Sequence, residues 1–184
     1  MVAKEERVTE ERIGEAFELN ERLTVLGGQL RVGDQAPAFE LDAIDPTDSS
    51  IHPLRLADSA GTVRLLNVVN SVDTPVCHIE THRWERLRAD LPAGIVVYTV
   101  SMDLPYAQAR WQGAEAVAHQ MLSAHRAERF GQDYGVLIKE WRLLQRAVFV
   151  IDRDNRVVHV EYVANQMREP NYAAALAAAM AATA

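Results

Sequence analysis

The sequence predicts an α/β fold in which a central sheet of mixed strand direction is flanked by helices, and three observations carry that prediction. Residues 63–69 and 95–101 are short apolar runs, the second rich in β-branched side chains, as expected of strands buried on both faces. Each run is followed by a longer stretch with helical spacing, residues 74–91 and then 105–121. Residues 147–152 and 156–163 flank a turn-forming Arg-Asp-Asn and read as a hairpin, after which an Ala-rich helix spans 171–182. Alternating strands and helices followed by a hairpin give a sheet that is parallel in its middle and antiparallel beyond.

The remaining elements fall around that frame. Residues 9–23 read as an amphipathic helix, with Thr9 as cap, Glu10 and Glu11 in the first turn, and Ile13, Phe17 and Leu23 near one face. Residues 1–22 are accordingly expected to be a helical extension ahead of one domain, 23–184. Gly27-Gly28 is expected to join two short strands, 23–26 and 29–32, as a tight hairpin. Residues 37–41 look extended, and 45–50 form a turn-rich loop. Pro105 suits a first helical position, and residues 126–134 read as a short helix ended by Gly135. This order of elements is that of a thioredoxin-like sandwich.

Composition excludes several function classes. A net charge of −7 with no Lys/Arg-rich run argues against a nucleic-acid partner, since phosphate contacts need a basic surface. No apolar stretch reaches the roughly 18 residues of a membrane helix. The first 20 residues carry both charge signs and no apolar core, unlike an export signal. There is 1 Cys among 184 residues, so no intramolecular disulfide forms. A reducing, cytoplasmic setting fits that usage.

A lone cysteine is usually a small buried hydrophobe, and only its surroundings argue for more. Here Asn70-Ser-Val-Asp-Thr-Pro-Val-Cys77 leaves the 63–69 strand and enters the next helix. Asp73 or Thr74 is placed to cap that helix, and Pro75 fits its first turn. Cys77 therefore falls where free backbone N–H groups and the helix dipole favour an anion, and the thiolate is the nucleophilic form. Residues on a helix turn by about 100° each, so Cys77, Trp84 and Leu91 lie within roughly 40° of one another, flanked by Glu80 and Leu87. An unpaired Glu80 opposes a thiolate one turn away, so a cation is required nearby. Arg146, at the head of the 147–152 strand, is the candidate.

These residues carry a resemblance. Asp-Thr-Pro-Val-Cys77, with Thr81 and Arg83-Trp84 after it, resembles the active-site helix of bacterial thiol peroxidases, in the atypical two-cysteine peroxiredoxin family. Ser101-Met-Asp-Leu-Pro-Tyr-Ala-Gln-Ala-Arg110 is similar to that family's second signature. Gly113-Ala-Glu, Tyr134-Gly-Val, Arg146-Ala-Val-Phe-Val-Ile-Asp152 and Glu169-Pro-Asn-Tyr172 continue the match in order. The resemblance implies a peroxiredoxin fold, reduction of hydrogen peroxide or organic hydroperoxides, no metal or organic cofactor, and a homodimer. It also implies roles by position. Cys77 attacks the peroxide and becomes a sulfenic acid, Thr74 hydrogen-bonds the peroxide, and Arg146 stabilises the thiolate and the leaving oxygen. The N–H groups of Val76 and Cys77 add to that stabilisation.

Two positions depart from the family pattern. Asn70 stands where a proline usually opens the loop, and Gln112 stands where a resolving cysteine is usual. Without a second thiol, the cycle requires an external thiol reductant, either a thioredoxin-like protein or a small thiol. Competing readings are a peroxide sensor and a catalytically weak thioredoxin-fold binding protein. His78 and His82 are four apart, a spacing able to hold a metal, but the helical count turns both towards solvent, and no metal site is expected. His119 or His125 as the base of a Cys-His hydrolase lacks an accompanying oxyanion motif. Trp111 and Trp141 read as packing residues.

Overall fold

A computed structural model describes residues 9–183. Two sheets organise them. The larger has seven strands in the order β10-β9-β5-β6-β7-β3-β4. Its members are β3 (Glu40–Ile44), β4 (Ile51–Arg55), β5 (Val63–Val68), β6 (Ile95–Ser101), β7 (Gln120–Ser123), β9 (Ala147–Ile151) and β10 (Val157–Tyr162). The smaller has three strands, β1 (Glu11–Glu18), β2 (Glu21–Leu26) and β8 (Leu137–Ile138). The four α-helices are α1 (Pro75–Arg88), α2 (Pro105–Glu115), α3 (Glu128–Asp133) and α4 (Tyr172–Ala181).

The centre of the large sheet follows the sequence pattern. β5 pairs in parallel with β6, and β6 with β7, whereas β9 and β10 join antiparallel on one side and β3 and β4 on the other. Every residue of β5 is buried, because both faces of the sheet are covered. Val63 and Leu65 meet Trp84 of α1 and Tyr172, Ala175 and Ala179 of α4 on one face. Leu66 and Val68 meet Phe39, Phe130 and Tyr134 on the other. α4 starts as its sequence suggests, with the Asn171 side chain accepting from the Ala174 N–H.

The amino-terminal expectation is corrected. Of the 1–22 extension read as helical, residues 1–8 lie outside the described residues, and the rest is a β-hairpin. β1 pairs antiparallel with β2 through a turn at Leu19 and Asn20, and the ladder slips between Arg12 and Ala16 around Gly14 at φ +71°. The spacing of Ile13, Phe17 and Leu23 mimicked a helical stripe, yet Ile13 is exposed while Leu23 is buried. The hairpin expected across Gly27-Gly28 is also corrected. Residues 23–26 form the end of β2, which turns back on β1 and pairs with β8 instead, and 29–32 form no strand. The second helix ends earlier than expected, at Glu115, because Ala116 takes the left-handed conformation, and residues 120–123 become β7. β4 and β7 are too short for periodicity to reveal.

Gly27 has a φ of +94°, and a Cβ there would land on the Gln132 carbonyl of α3. Gly61 has a φ of +78° with open space around it. Gly61→Ala is therefore expected to cost about 1 kcal/mol for the left-handed backbone alone. Gly27→Ala should cost at least about 3 kcal/mol, because a backbone collision adds to the same strain. Urea denaturation of the two variants measures the difference.

Candidate active site

The register of two antiparallel strands brings the site together. Val68 of β5 pairs with Ala147 of β9, so the chain leaving β5 runs beside the chain entering β9. The first carries Asn70, Thr74 and Cys77, and the second carries Arg146. Pro75 opens α1 at the first helical position with Thr74 as the N-cap residue, and Cys77 lies in the first turn. Its N–H and that of Val76 belong to the group without an intrahelical acceptor. The Thr74 hydroxyl does not cap the helix; it donates to the Ser71 carbonyl at 3.0 Å.

Cys77 is fully buried. Arg146 Nη2 lies 3.3 Å from its Sγ and also donates to the Gln166 carbonyl at 2.9 Å. Nη1 of the same guanidinium donates to Glu80 Oε2. Arg146 thus bridges the two groups that would otherwise repel each other, the sulfur and the carboxylate one turn along α1. Burial works against the Arg146 charge, but Glu80 and Cys77 more than offset it and hold the guanidinium above its ordinary range. Burial also raises the Glu80 carboxyl to about 7, with Arg146 pulling it back only in part. Glu80 Oε1 has no hydrogen-bond partner among the described residues, so the charged form is only half compensated.

Asn70 is buried and fixed. Its Nδ2 donates to the Leu144 carbonyl at 2.6 Å and to Gln166 Oε1 at 3.0 Å, which leaves Oδ1 facing Cys77 Sγ at 3.9 Å. Asn70 therefore contributes a polar contact to the thiol. Gln166, which sequence reasoning missed, is the hub of this wall. Its Oε1 also accepts from the Arg146 N–H at 2.9 Å, and its Nε2 donates to the carbonyls of Val163 and Ala164. The Gln166 N–H in turn donates to the Phe17 carbonyl of β1 at 2.9 Å. A lone Gln in a loop has no periodicity to mark it, so no local signal announced it.

A cavity of about 280 Å³ opens beside this cluster, bordered by Asn70, Thr74, Val76, Arg146 and Gln166. Glu18 of β1 and Trp141 close another part of its wall. The cavity brings Thr74 and Arg146 to one space, with Cys77 one residue beyond Val76. Gln112 lies elsewhere, in the last turn of α2, donating to the His119 carbonyl at 2.7 Å. His119 is buried between Glu85 and Thr99, and His125 contacts Ser123. Among the described residues neither has a hydrogen bond or ion pair to Cys77. His78 and His82 are half-buried against the Trp111 ring rather than turned fully to solvent.

Residues 31–176 match the Redoxin family. The chain is 48% identical over 164 residues to a thiol peroxidase of Streptococcus pneumoniae, covering 89% of this chain and 97% of that protein. It is 43% identical to a thiol peroxidase of Bacillus subtilis, covering 86% and 92%. Among solved structures, a peroxiredoxin-like protein from Aquifex aeolicus superposes with a TM-score of 0.78 at 31% identity, covering 90% of this chain and 95% of that one. A thiol peroxidase from Chromobacterium violaceum gives 0.75 at 26% identity, covering 86% and 91%.

The buried pair has a pH signature. Because Glu80 is raised from 4.5 to about 7 on folding, its neutral form favours the folded chain. That contribution is complete below about pH 4.5 and is lost as pH rises towards 7. Stability should therefore fall across this window with a slope of at most about 1.4 kcal/mol per pH unit from this group. Glu80→Gln should flatten the slope, as measured by urea denaturation at a series of pH values.

Proposed function

The chain belongs to the redoxin family and is a thiol-dependent peroxidase, and we propose that Cys77, Thr74 and Arg146 carry its reaction. The observation behind this assignment is the Arg146 guanidinium 3.3 Å from a buried sulfur at a helix start. Arg146 both contacts the sulfur and borders the cavity beside it. A peroxide entering there meets the Thr74 hydroxyl, whose proton is already committed to the Ser71 carbonyl, so its lone pairs accept the peroxide O–H.

Attack of the Cys77 thiolate on one peroxide oxygen forms an S–O bond as the O–O bond breaks. The sulfur is oxidised to a sulfenic acid, and the departing oxygen leaves as hydroxide or alkoxide and takes up a proton. Arg146 and the Val76 and Cys77 N–H groups stabilise the charge that develops on that oxygen. With 1 Cys in the chain, the sulfenic acid is returned to thiol by an external thiol, either a thioredoxin-like protein or a small molecule. A single reduced thiol suits the cytoplasm, and a homodimer is the working state in this reading. Full burial of Cys77 and the absence of a second thiol also favour one alternative, a peroxide sensor whose oxidised form is long-lived.

Trapping with dimedone after stoichiometric hydrogen peroxide at neutral pH separates these readings. Wild-type protein should give one adduct and Cys77→Ser none. Arg146→Lys, which keeps a charge but loses the fork, and Arg146→Ala should slow oxidation, the latter by about 100-fold or more. Thr74→Val should slow it while lowering the melting temperature by only a few degrees, as loss of the one hydrogen bond to Ser71 implies. Oxidation no faster than that of a free thiol, or unchanged in Arg146→Ala, would sink the assignment. Fast oxidation that no thiol reductant reverses would identify a sensor.

The quaternary state has its own check. Sedimentation at micromolar concentration should give twice the chain mass of 20.5 kDa, both reduced and oxidised, with no disulfide-linked species on a non-reducing gel.

A further inference from the structure

Away from the Cys77 cavity, three metal-ligating side chains meet between two helices. His78 and His82 are four residues apart on α1, so their side chains lie one above the other on one face. Glu115 is the last residue of α2, and the left-handed Ala116 turns the chain away directly after it. His82 Nε2 lies 3.0 Å from Glu115 Oε2, and His78 Nε2 lies 3.8 Å from the same oxygen. The three ligand atoms are within 4.8 Å of one another. Trp111, one turn before Glu115 and nearly buried, backs both imidazoles at ring distances of 5.5 and 5.6 Å.

A hydrogen bond from His82 to Glu115 accounts for one of these contacts but not for the convergence of His78 on the same oxygen. Two imidazoles and one carboxylate are the donor set of a borderline divalent cation, and Zn²⁺ fits it best among common ions. Tetrahedral Zn²⁺ places ligand atoms about 3.3 Å apart, so His82 and Glu115 are already spaced for it. His78 closes the remainder by a small side-chain rotation. All three side chains retain partial exposure, which leaves a coordination position for water.

We propose that His78, His82 and Glu115 form a Zn²⁺ site that ties α1 to α2. His78 directly follows Cys77, so the tie bears on the first turn of α1. A protein or small thiol must reach a fully buried sulfur to reduce its sulfenic acid, and that turn has to move for it to do so. Bound Zn²⁺ holds the turn in place and slows the return to thiol; this consequence, unlike the site itself, rests on the peroxidase reading.

Calorimetric titration of the full chain with Zn²⁺ at neutral pH tests the site without reference to activity. One ion should bind per chain and raise the melting temperature, whereas Mg²⁺ should do neither. Affinity should fall by at least about tenfold in His82→Ala and in Glu115→Gln, since loss of a ligand costs no less than loss of a group that orients one. Binding should persist in Cys77→Ser, which separates this site from simple thiol ligation. No saturable binding, binding unchanged in the His78→Ala/His82→Ala double variant, or binding lost in Cys77→Ser would overturn the proposal. In a second arm, sulfenic acid on the Zn²⁺-loaded chain should be reduced more slowly by a common thiol than on the metal-free chain, and His82→Ala should erase the difference. If Zn²⁺ binds and the rates are equal, the site stands and its coupling to Cys77 is refuted.

Discussion

The guanidinium of Arg146 is the contact on which the rest of the site depends. It is shared among a sulfur, a carboxylate and a backbone carbonyl, all away from bulk water. Such a cation is expensive to bury, and the carboxylate of Glu80, the sulfur and the Gln166 carbonyl together offset that cost. Its position is set by the sheet and not by a loop. The Val68–Ala147 pairing fixes where β9 begins, and Arg146 is the residue before it. A site held by strand register and a helix start is built in place by the fold, which is what a reaction requiring aligned sulfur and oxygen needs.

The centre of this arrangement was legible in the sequence because it is built from strong local signals. A Pro at a helix start, an apolar run before it and an Arg at the head of a second run are all readable from neighbours in the chain. Glu80 was equally legible, since helical spacing puts it one turn from Cys77 and its charge demands a partner. What escaped were long-range contacts with no local marker. Gln166 matters through bonds to Asn70, Arg146 and Phe17, which are far from it in sequence. The amino-terminal strands were misread because a bulged, half-exposed hairpin does not alternate cleanly, and three apolar residues mimicked another period. β4 and β7 owe their strand state to partners already in the sheet.

Asn70 illustrates how one residue changes a pocket's character. A proline there would offer only a ring and a fixed turn. Asn70 instead commits its amide hydrogens to Leu144 and Gln166, which pins its oxygen toward the sulfur. Cys77 Sγ thus sits between a neutral acceptor, Asn70 Oδ1, and a charged donor, Arg146 Nη2. The charged donor is the stronger of these two contacts, since hydrogen bonds to ionised groups outweigh weak ones to sulfur.

The amino-terminal hairpin carries a consequence for how this chain can be divided. The family match begins at residue 31, after both hairpin strands. Yet Glu18 borders the cavity, and the Phe17 carbonyl holds the N–H of Gln166, which in turn positions Asn70 and Arg146. The boundary drawn by ancestry is therefore not the boundary drawn by physics. A minimal module cut at the family limit would retain Asn70, Thr74, Cys77 and Arg146 and lose the brace behind Gln166, so the hairpin belongs with the site as much as the helix that bears the sulfur.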